Sequence, residues 1–141
     1  MVYVMLADGF EEIEALAVVD VLRRVNIDVF TVSITDDTKV TGSHKIQVAA
    51  DLTIKDAALE DADMVVLPGG MLGSQNLYEN SILEKALESR VKNKKWIAAI
   101  CAAPFIIGRR GYLEGKEAIC YPGFEKELKG AEIVNKKVVI S

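Results

Sequence analysis

The chain has 141 residues, of which 50% are hydrophobic and 27% charged, and this composition is typical of one globular domain rather than a disordered chain. The formal net charge of −4, with scattered lysines and arginines, argues against a protein that binds nucleic acid or an anionic membrane. Two cysteines without a disulfide spacing favour a reducing cytoplasm, and one histidine without a CxxC or HExxH motif disfavours a metal site.

Short apolar runs alternate with helical patterns along the chain. Buried strands are predicted over 2–7, 64–67 and 96–100, a further strand over 27–34, and helices over 11–25 and 81–92. A hairpin or excursion at a sheet edge is predicted over 40–54, and short extended runs over 117–121, 133–134 and 137–140. Alternating strands and helices predict an α/β domain with a mostly parallel sheet, which binds ligands at the carboxyl ends of its strands.

The most informative stretch runs from Lys94 to Gly108. An apolar strand leads into Cys101, and Pro104 then suits the first turn of a helix, where its missing N–H is not needed. This pattern predicts a sharp turn that projects the Cys101 side chain above the sheet, at a helix N-terminus that stabilises a thiolate. The alternative is a buried structural cysteine.

Glu14 is the second candidate, within the helix predicted over 11–25. A helical wheel places it between two valines, on a face that we expect to be apolar. An ionised carboxyl group is costly there, whereas a protonated Glu14 could donate a hydrogen bond to Cys101 and act as a general acid or base. The alternative is that Glu14, like Glu11 and Glu12, only complements the positive end of the helix.

Paired glycines follow the strand predicted over 64–67. Gly69 and Gly70 leave backbone N–H groups open to a ligand, and with the Ala102 N–H they could form an oxyanion hole. An ordinary turn is the alternative, since Pro-Gly-Gly is a common chain break. The Gly-Lys-Ser/Thr ending of a phosphate-binding loop is absent.

Four further residues carry simpler expectations. His44 lies in a polar turn, and only its residue type favours a catalytic base. Cys120 is interpreted as a structural thiol or a secondary oxidation site. Ile13 and Leu16 stand among charged residues of the first helix, a pattern that predicts a dimer contact.

Three segments, ADGFEEIE (7–14), VLPGGMLGSQNL (66–77) and AAICAAP (98–104), together resemble the ThiJ/PfpI superfamily. The match is greatest to its DJ-1 branch, the Parkinsonism-associated, deglycase-like proteins, and it covers nearly the whole chain. The resemblance implies a flavodoxin-like three-layer sandwich of the class I glutamine amidotransferase type, a homodimer and no cofactor. It also implies a reactive Cys101 hydrogen-bonded to a protonated Glu14.

The resemblance implies roles for further positions. Gly69, Gly70 and Ala102 would supply backbone donors. Asp20 and Arg24 match family positions at the dimer contact, and His44 falls where the family often has an arginine near that contact.

The chain departs from the family pattern at three places. Tyr121 stands where many members carry a histidine close to the cysteine. Ala102 follows the cysteine, where the peptidase branch has histidine, and this disfavours a Cys-His-carboxylate protease. Relatives usually continue past the position of Ser141 through a loop and a closing helix, so we expect this single domain of residues 1–141 to belong to a longer or cleaved chain.

These features lead to two hypotheses about function. The first is a cytoplasmic glyoxalase- or deglycase-like enzyme that acts on small dicarbonyls or their protein adducts, with Cys101 as nucleophile and Glu14 as proton shuttle. The second is an oxidative-stress sensor or redox chaperone in which Cys101 is oxidised to a sulfinate.

Overall fold

The computed structural model describes residues 1–141, which form nine strands and four α-helices. The strands are β1 (Val2–Leu6), β2 (Val29–Ser33), β3 (Lys39–Thr41), β4 (Gln47–Ala49), β5 (Leu52–Thr53), β6 (Met64–Leu67), β7 (Trp96–Ala99), β8 (Glu117–Ala118) and β9 (Glu132–Ile133). The helices are α1 (Glu12–Arg24), α2 (Met71–Glu79), α3 (Ser81–Lys92) and α4 (Pro104–Gly108). None of the helices is both long and apolar enough to cross a bilayer.

The central sheet has five parallel strands in the order β5-β2-β1-β6-β7. From β1 the chain first extends the sheet in one direction, to β2, and later in the other, to β6 and β7. A crevice forms at the carboxyl ends of the strands where the order reverses, here between β1 and β6. The predicted α/β architecture is confirmed, and this crevice is where the candidate residues meet.

Apolar side chains of alternating parity pack on opposite faces of the sheet. On one face, Tyr3 and Met5 of β1 belong to a core with residues of α2, α3 and α4. On the other face, Val2 and Val4 join Ala15 and Val19 of α1 in a second core. A sheet between two helical layers is the predicted three-layer sandwich.

Three elements differ from the prediction. The strand before Cys101 was expected to be buried on both faces, but β7 is the edge strand of the sheet, where Trp96 is exposed and the other residues are half-buried. Helix α2 was not predicted, because its sequence is not strongly apolar on one side and its N-cap is Gly70, whose φ is +88°. Gly73 of α2 packs closely against the backbone just before α1, so that an added Cβ would lie 2.5 Å from the Phe10 nitrogen. The strand predicted over 137–140 is absent, since this segment has no partner strand and is held instead by Ser141 Oγ, which donates to the Glu117 carbonyl.

Candidate functional site

Cys101 occupies the sharp turn between β7 and α4, as expected. Its φ is +60°, a left-handed conformation that costs a non-glycine residue about 1–2 kcal/mol. The turn is held by the Ala103 N–H, which donates to the Ile100 carbonyl at 3.0 Å, and Pro104 opens α4 directly behind it. The side chain is half-buried, so it lies at the surface of the crevice and is not sealed in the core.

Glu14 reaches the same place from the first turn of α1. Its Oε2 accepts a hydrogen bond from the Gly69 N–H at 2.8 Å. A Cβ built on Gly69 would lie 2.4 Å from Glu14 Oε2 and 3.3 Å from Cys101 Sγ, so both atoms border the space left by the missing side chain. The structure therefore brings the predicted carboxyl group and thiol together at the end of β6.

The helical-wheel prediction that Glu14 lies on an apolar, buried face of α1 was wrong. The valines beside it on the wheel, Val21 and Val25, are 57% and 61% exposed, whereas the buried residues of α1 are Glu12, Ala15 and Val19. Glu14 is half-buried because it leans on Gly69, and not because the helix presents an apolar face there.

The electrostatics of the thiol also differ from the expected thiolate. Burial raises the pKa of the Cys101 thiol, and a hydrogen bond and negative charge from the Glu14 carboxylate raise that pKa further. Only the Ala102 N–H acts in the opposite direction. A proton on Glu14 would reverse its influence, because a carboxylic acid can donate to a thiolate while a carboxylate repels it.

The predicted backbone donors divide into two groups. The Gly69 N–H is already committed to Glu14, so it is not free to hold an oxyanion. The Gly70 and Ala102 N–H groups have no backbone acceptor. The Ala102 N–H instead bonds to the Cys101 sulfur, and a donor in that place would suit a ligand oxygen that develops negative charge.

His44 lies outside this constellation, at the tip of the β3–β4 hairpin, and is paired with a residue that the sequence did not single out. The ring Nδ1 of His44 is 2.8 Å from Glu12 Oε2, and the backbone N–H of His44 donates to Glu12 Oε1. Burial alone would raise the pKa of Glu12, but hydrogen bonds from His44, from the backbone and from Ser43 outweigh it and lower that pKa to about 2. A buried acidic residue opposite a polar hairpin is hard to recognise before the fold is known.

One group of side chains has the composition of a metal site. The ligand atoms of Glu11, Glu12 and His44 all lie within 4.8 Å of one another. Each carboxylate already accepts hydrogen bonds, from the Glu14 N–H in the case of Glu11 and from His44 and Ser43 in the case of Glu12. The arrangement is satisfied as an ion-pair network.

Four of the five residues expected at a dimer contact lie along α1, and the fifth, His44, lies on the β3–β4 hairpin. Ile13 is 76% exposed and Leu16 is half-buried. Arg24 Nε donates to Asp20 Oδ2 at 2.8 Å, one turn apart on the same helix. These side chains form a surface strip in which an exposed apolar residue neighbours a charged pair.

The segment after β8 contacts the turn from the other side. The Tyr121 N–H donates to the Cys101 carbonyl oxygen at 2.7 Å. Cys120 precedes it and packs against a small core that contains Leu113 and Leu128, which agrees with the structural interpretation of this thiol. Burial, together with the charge of Glu125, raises the pKa of Cys120.

Solved structures of similar sequence share this fold. A DJ-1 superfamily protein from Salmonella typhimurium, solved as a cysteine-to-alanine mutant, has a TM-score of 0.93 and 34% identity, covering 99% of this chain and 76% of that one. An oxidised DJ-1 from Toxoplasma gondii has a TM-score of 0.92 and 33% identity, with coverage of 99% and 76%.

Curated relatives give the same result and allow the family to be stated. Protein dj-1beta of Drosophila melanogaster is 36% identical over 138 residues, which is 97% of this chain and 74% of that protein. The chain spans a smaller share, 32%, of Protein DJ-1 homolog B of Arabidopsis thaliana, to which it is 31% identical over 140 residues. A family model described as DJ-1/PfpI matches residues 1–141, and the chain therefore belongs to the DJ-1/PfpI family.

Proposed function

We propose that this protein is a cofactor-independent, cysteine-dependent enzyme that acts on small dicarbonyls or on their early adducts with proteins. The observation that carries the proposal is the convergence of the Cys101 thiol and the Glu14 carboxyl group on the space beside Gly69. A nucleophile next to a proton-transfer group is the minimum needed for covalent catalysis at a carbonyl carbon. A reducing cytoplasm, where a free thiol persists, is the compartment we propose for it.

The proposed reaction begins when the Cys101 sulfur, as the thiolate, forms a bond to the aldehyde carbon. The carbonyl oxygen takes the electron pair and then a proton, giving a hemithioacetal, and the Gly70 and Ala102 N–H groups stabilise the oxyanion. Glu14 then moves a proton from the former aldehyde carbon to the neighbouring carbonyl carbon through an enediol, which leaves a thioester. Water hydrolyses the thioester, releases a hydroxy acid and restores the thiol, so no oxidant or reductant is consumed.

The test is consumption of methylglyoxal and formation of lactate by the purified chain. We expect both to be abolished in Cys101→Ser and strongly reduced in Glu14→Gln, because the first variant removes the nucleophile and the second removes the proton. Cys120→Ser is the matched control, since that thiol packs in a separate small core, and it should keep the activity. Turnover that survives in Cys101→Ser would refute the proposal.

A redox sensor is the second candidate, and one observation favours it. The related Toxoplasma gondii DJ-1 has been solved in an oxidised form. In this chain the Cys101 thiol is half-buried and bordered by a carboxyl group that could donate to a sulfinate oxygen. Two equivalents of peroxide would add two oxygen atoms to the sulfur and release water. Selective oxidation of Cys101 without dicarbonyl turnover would favour this function over the enzyme.

A peptidase is not proposed, although one relative bears such a name. That relative, YraA of Bacillus subtilis, is 30% identical over 140 residues and is named as a candidate cysteine protease. The one histidine of this chain is His44, and its ring is bonded to Glu12. A Cys-His pair therefore has no histidine among the residues of this chain that surround Cys101.

We also propose that the protein assembles as a homodimer through the outer side of α1. Ile13 is 76% exposed, which is unusual for isoleucine, and Leu16 and the Asp20–Arg24 pair continue the same strip. Ile13→Arg would place a charge in the contact without touching the core. It should give a monomer by light scattering, and an unchanged dimer would place the contact elsewhere.

A further inference from the structure

The left-handed backbone of Cys101 needs support from outside its own strand and helix. Within the turn itself, the Ala103 N–H bonds back to Ile100. The carbonyl group of Cys101 is held by a different part of the chain, because it accepts the Tyr121 N–H at 2.7 Å. Residues 121–124, here called the strap, thus reach the nucleophile's own backbone.

Phe124 anchors this strap to the helix behind the nucleophile. Its N–H donates to the Tyr121 carbonyl at 3.1 Å, which closes the strap into a turn. Its ring stacks on Phe105 of α4, with centroids 6.2 Å apart and planes 23° from parallel. Phe105 is buried and also contacts the ring of Tyr78 in α2, at 5.7 Å. Phe124 is therefore packed against a buried residue of the core, Phe105, which follows Cys101 by four positions.

The hydrogen bond from the strap also sets the direction of a second group. The Cys101–Ala102 peptide bond is trans, and in a trans peptide the C=O and N–H point in opposite directions. When Tyr121 holds the carbonyl oxygen on one side, the Ala102 N–H must point to the other side. The Cys101 sulfur lies on that side, where it accepts a hydrogen bond from the Ala102 N–H.

We propose that Phe124 is a positioning residue for Cys101: by stacking on Phe105 it keeps the Tyr121 N–H on the Cys101 carbonyl and so aims the Ala102 N–H at the sulfur. The inference rests on the proposed function only in taking Cys101 as the reactive group. It adds a residue remote from the thiol that controls how readily the thiolate forms.

The test is the pH dependence of Cys101 alkylation by iodoacetamide, followed by mass spectrometry so that Cys101 and Cys120 are measured separately. In Phe124→Ala the rate at pH 7 should fall roughly tenfold, because one charge-assisted hydrogen bond to the thiolate is weakened. The plateau rate at high pH should be unchanged, since access to the sulfur is not altered. Phe124→Leu keeps apolar contact without ring stacking and should shift the profile less, in the same direction.

Phe30→Ala is the matched control. Phe30 is also part of an aromatic pair, with its ring centroid 6.2 Å from that of Tyr3, but it lies on β2 and is 37% exposed. Removal of the Phe30 ring should leave the alkylation profile unchanged. Phe124→Tyr keeps the stacking ring and should give the same profile as the wild type. Hydrogen exchange of the Tyr121 amide reports directly whether the strap has loosened.

Two outcomes would overturn the inference. The first is faster exchange of the Tyr121 amide in Phe124→Ala with an unchanged alkylation profile, which would show that the thiol does not depend on the strap. The second is unchanged exchange of that amide, which would show that Phe124 does not hold it. Neither measurement contains a dicarbonyl, so the absence of turnover would refute the proposed enzyme while leaving this inference to its own test.

Discussion

Two carboxyl groups on the first turn of α1 have opposite surroundings. Glu12 is 4% exposed and accepts hydrogen bonds from His44 and Ser43 of the β3–β4 hairpin. Glu14 is half-buried, and its carboxyl group accepts a hydrogen bond from the Gly69 backbone N–H, beside the Cys101 thiol. The two side chains are separated by two positions, about 200° around the helix, so they leave it toward different elements.

This difference separates a structural anion, Glu12, from the carboxyl group that we propose as the proton carrier, Glu14. A carboxylate that accepts several hydrogen bonds is held as the anion, and the pKa of Glu12 is accordingly lowered to about 2. Glu14 lacks such a set of donors and faces a thiol that can exchange a proton with it. We infer that Glu12 fastens the hairpin to the helix, whereas Glu14 is left free for chemistry.

The largest effect is expected from closing the space between Glu14 and Cys101. In Gly69→Ala the new Cβ would lie 2.4 Å from Glu14 Oε2 and 2.8 Å from Cys101 Cβ, so both groups must move. Dicarbonyl turnover should fall about 100-fold, as expected when reacting groups are misplaced by an ångström. Full activity in a correctly folded Gly69→Ala would show that the two groups do not act together.

The corresponding change on the Glu12 side should affect stability instead. In Gly42→Ala the new Cβ would lie 2.2 Å from Glu12 Oε1, a buried atom held by the His44 N–H. Urea denaturation should show a loss of about 1–3 kcal/mol in the free energy of unfolding. Ser43→Ala removes only one hydrogen bond to Glu12 and should cost less; an equal loss in both variants would argue against the clash.

A pair of Glu14 variants tests the protonation state of the site. If a protonated Glu14 donates a hydrogen bond to the Cys101 thiolate, Glu14→Leu removes the donor and should raise the pKa of Cys101, slowing alkylation at pH 7 roughly tenfold. Glu14→Gln keeps an N–H donor and should change the profile little. Faster alkylation in both variants would instead mean that Glu14 acts as an anion that raises the pKa of Cys101, as its carboxylate form does.

The smallest effect concerns the ion pair of His44, whose side chain is 69% exposed. The hydrogen bond with Glu12 raises the pKa of His44 above its ordinary value of 6.5, so this pair stabilises the fold at low pH and the contribution is lost as pH rises through the raised pKa. The lowered pKa of Glu12 has the opposite sign, and its contribution is lost only as pH falls from 4.5 toward 2. Melting temperatures of wild type and His44→Gln should therefore differ more at pH 6 than at pH 9.

Much of the fold was predictable because it depends on local patterns. Strands β1 and β6 are short, mostly buried apolar runs, as predicted, and α3 has apolar residues at helical spacing after a capping asparagine, Asn80. The apolar run of β7 also forms its predicted strand, but at the exposed edge of the sheet. The helical-wheel argument for Glu14 failed because it concerns a property that does not depend on local sequence alone. Which face of α1 is buried depends on the sheet beneath it, and that sheet covers Ala15 and Val19.

By itself, the sequence determined the alternation of strands and helices, the sharp turn at Cys101 and the glycines at the end of β6, because each follows from residue type and spacing within a few positions. Only the tertiary structure decided which groups meet. It placed Glu14 on Gly69, paired Glu12 with His44, and brought Tyr121 to the Cys101 carbonyl. These contacts join residues tens of positions apart, and no local pattern encodes the distance between such atoms.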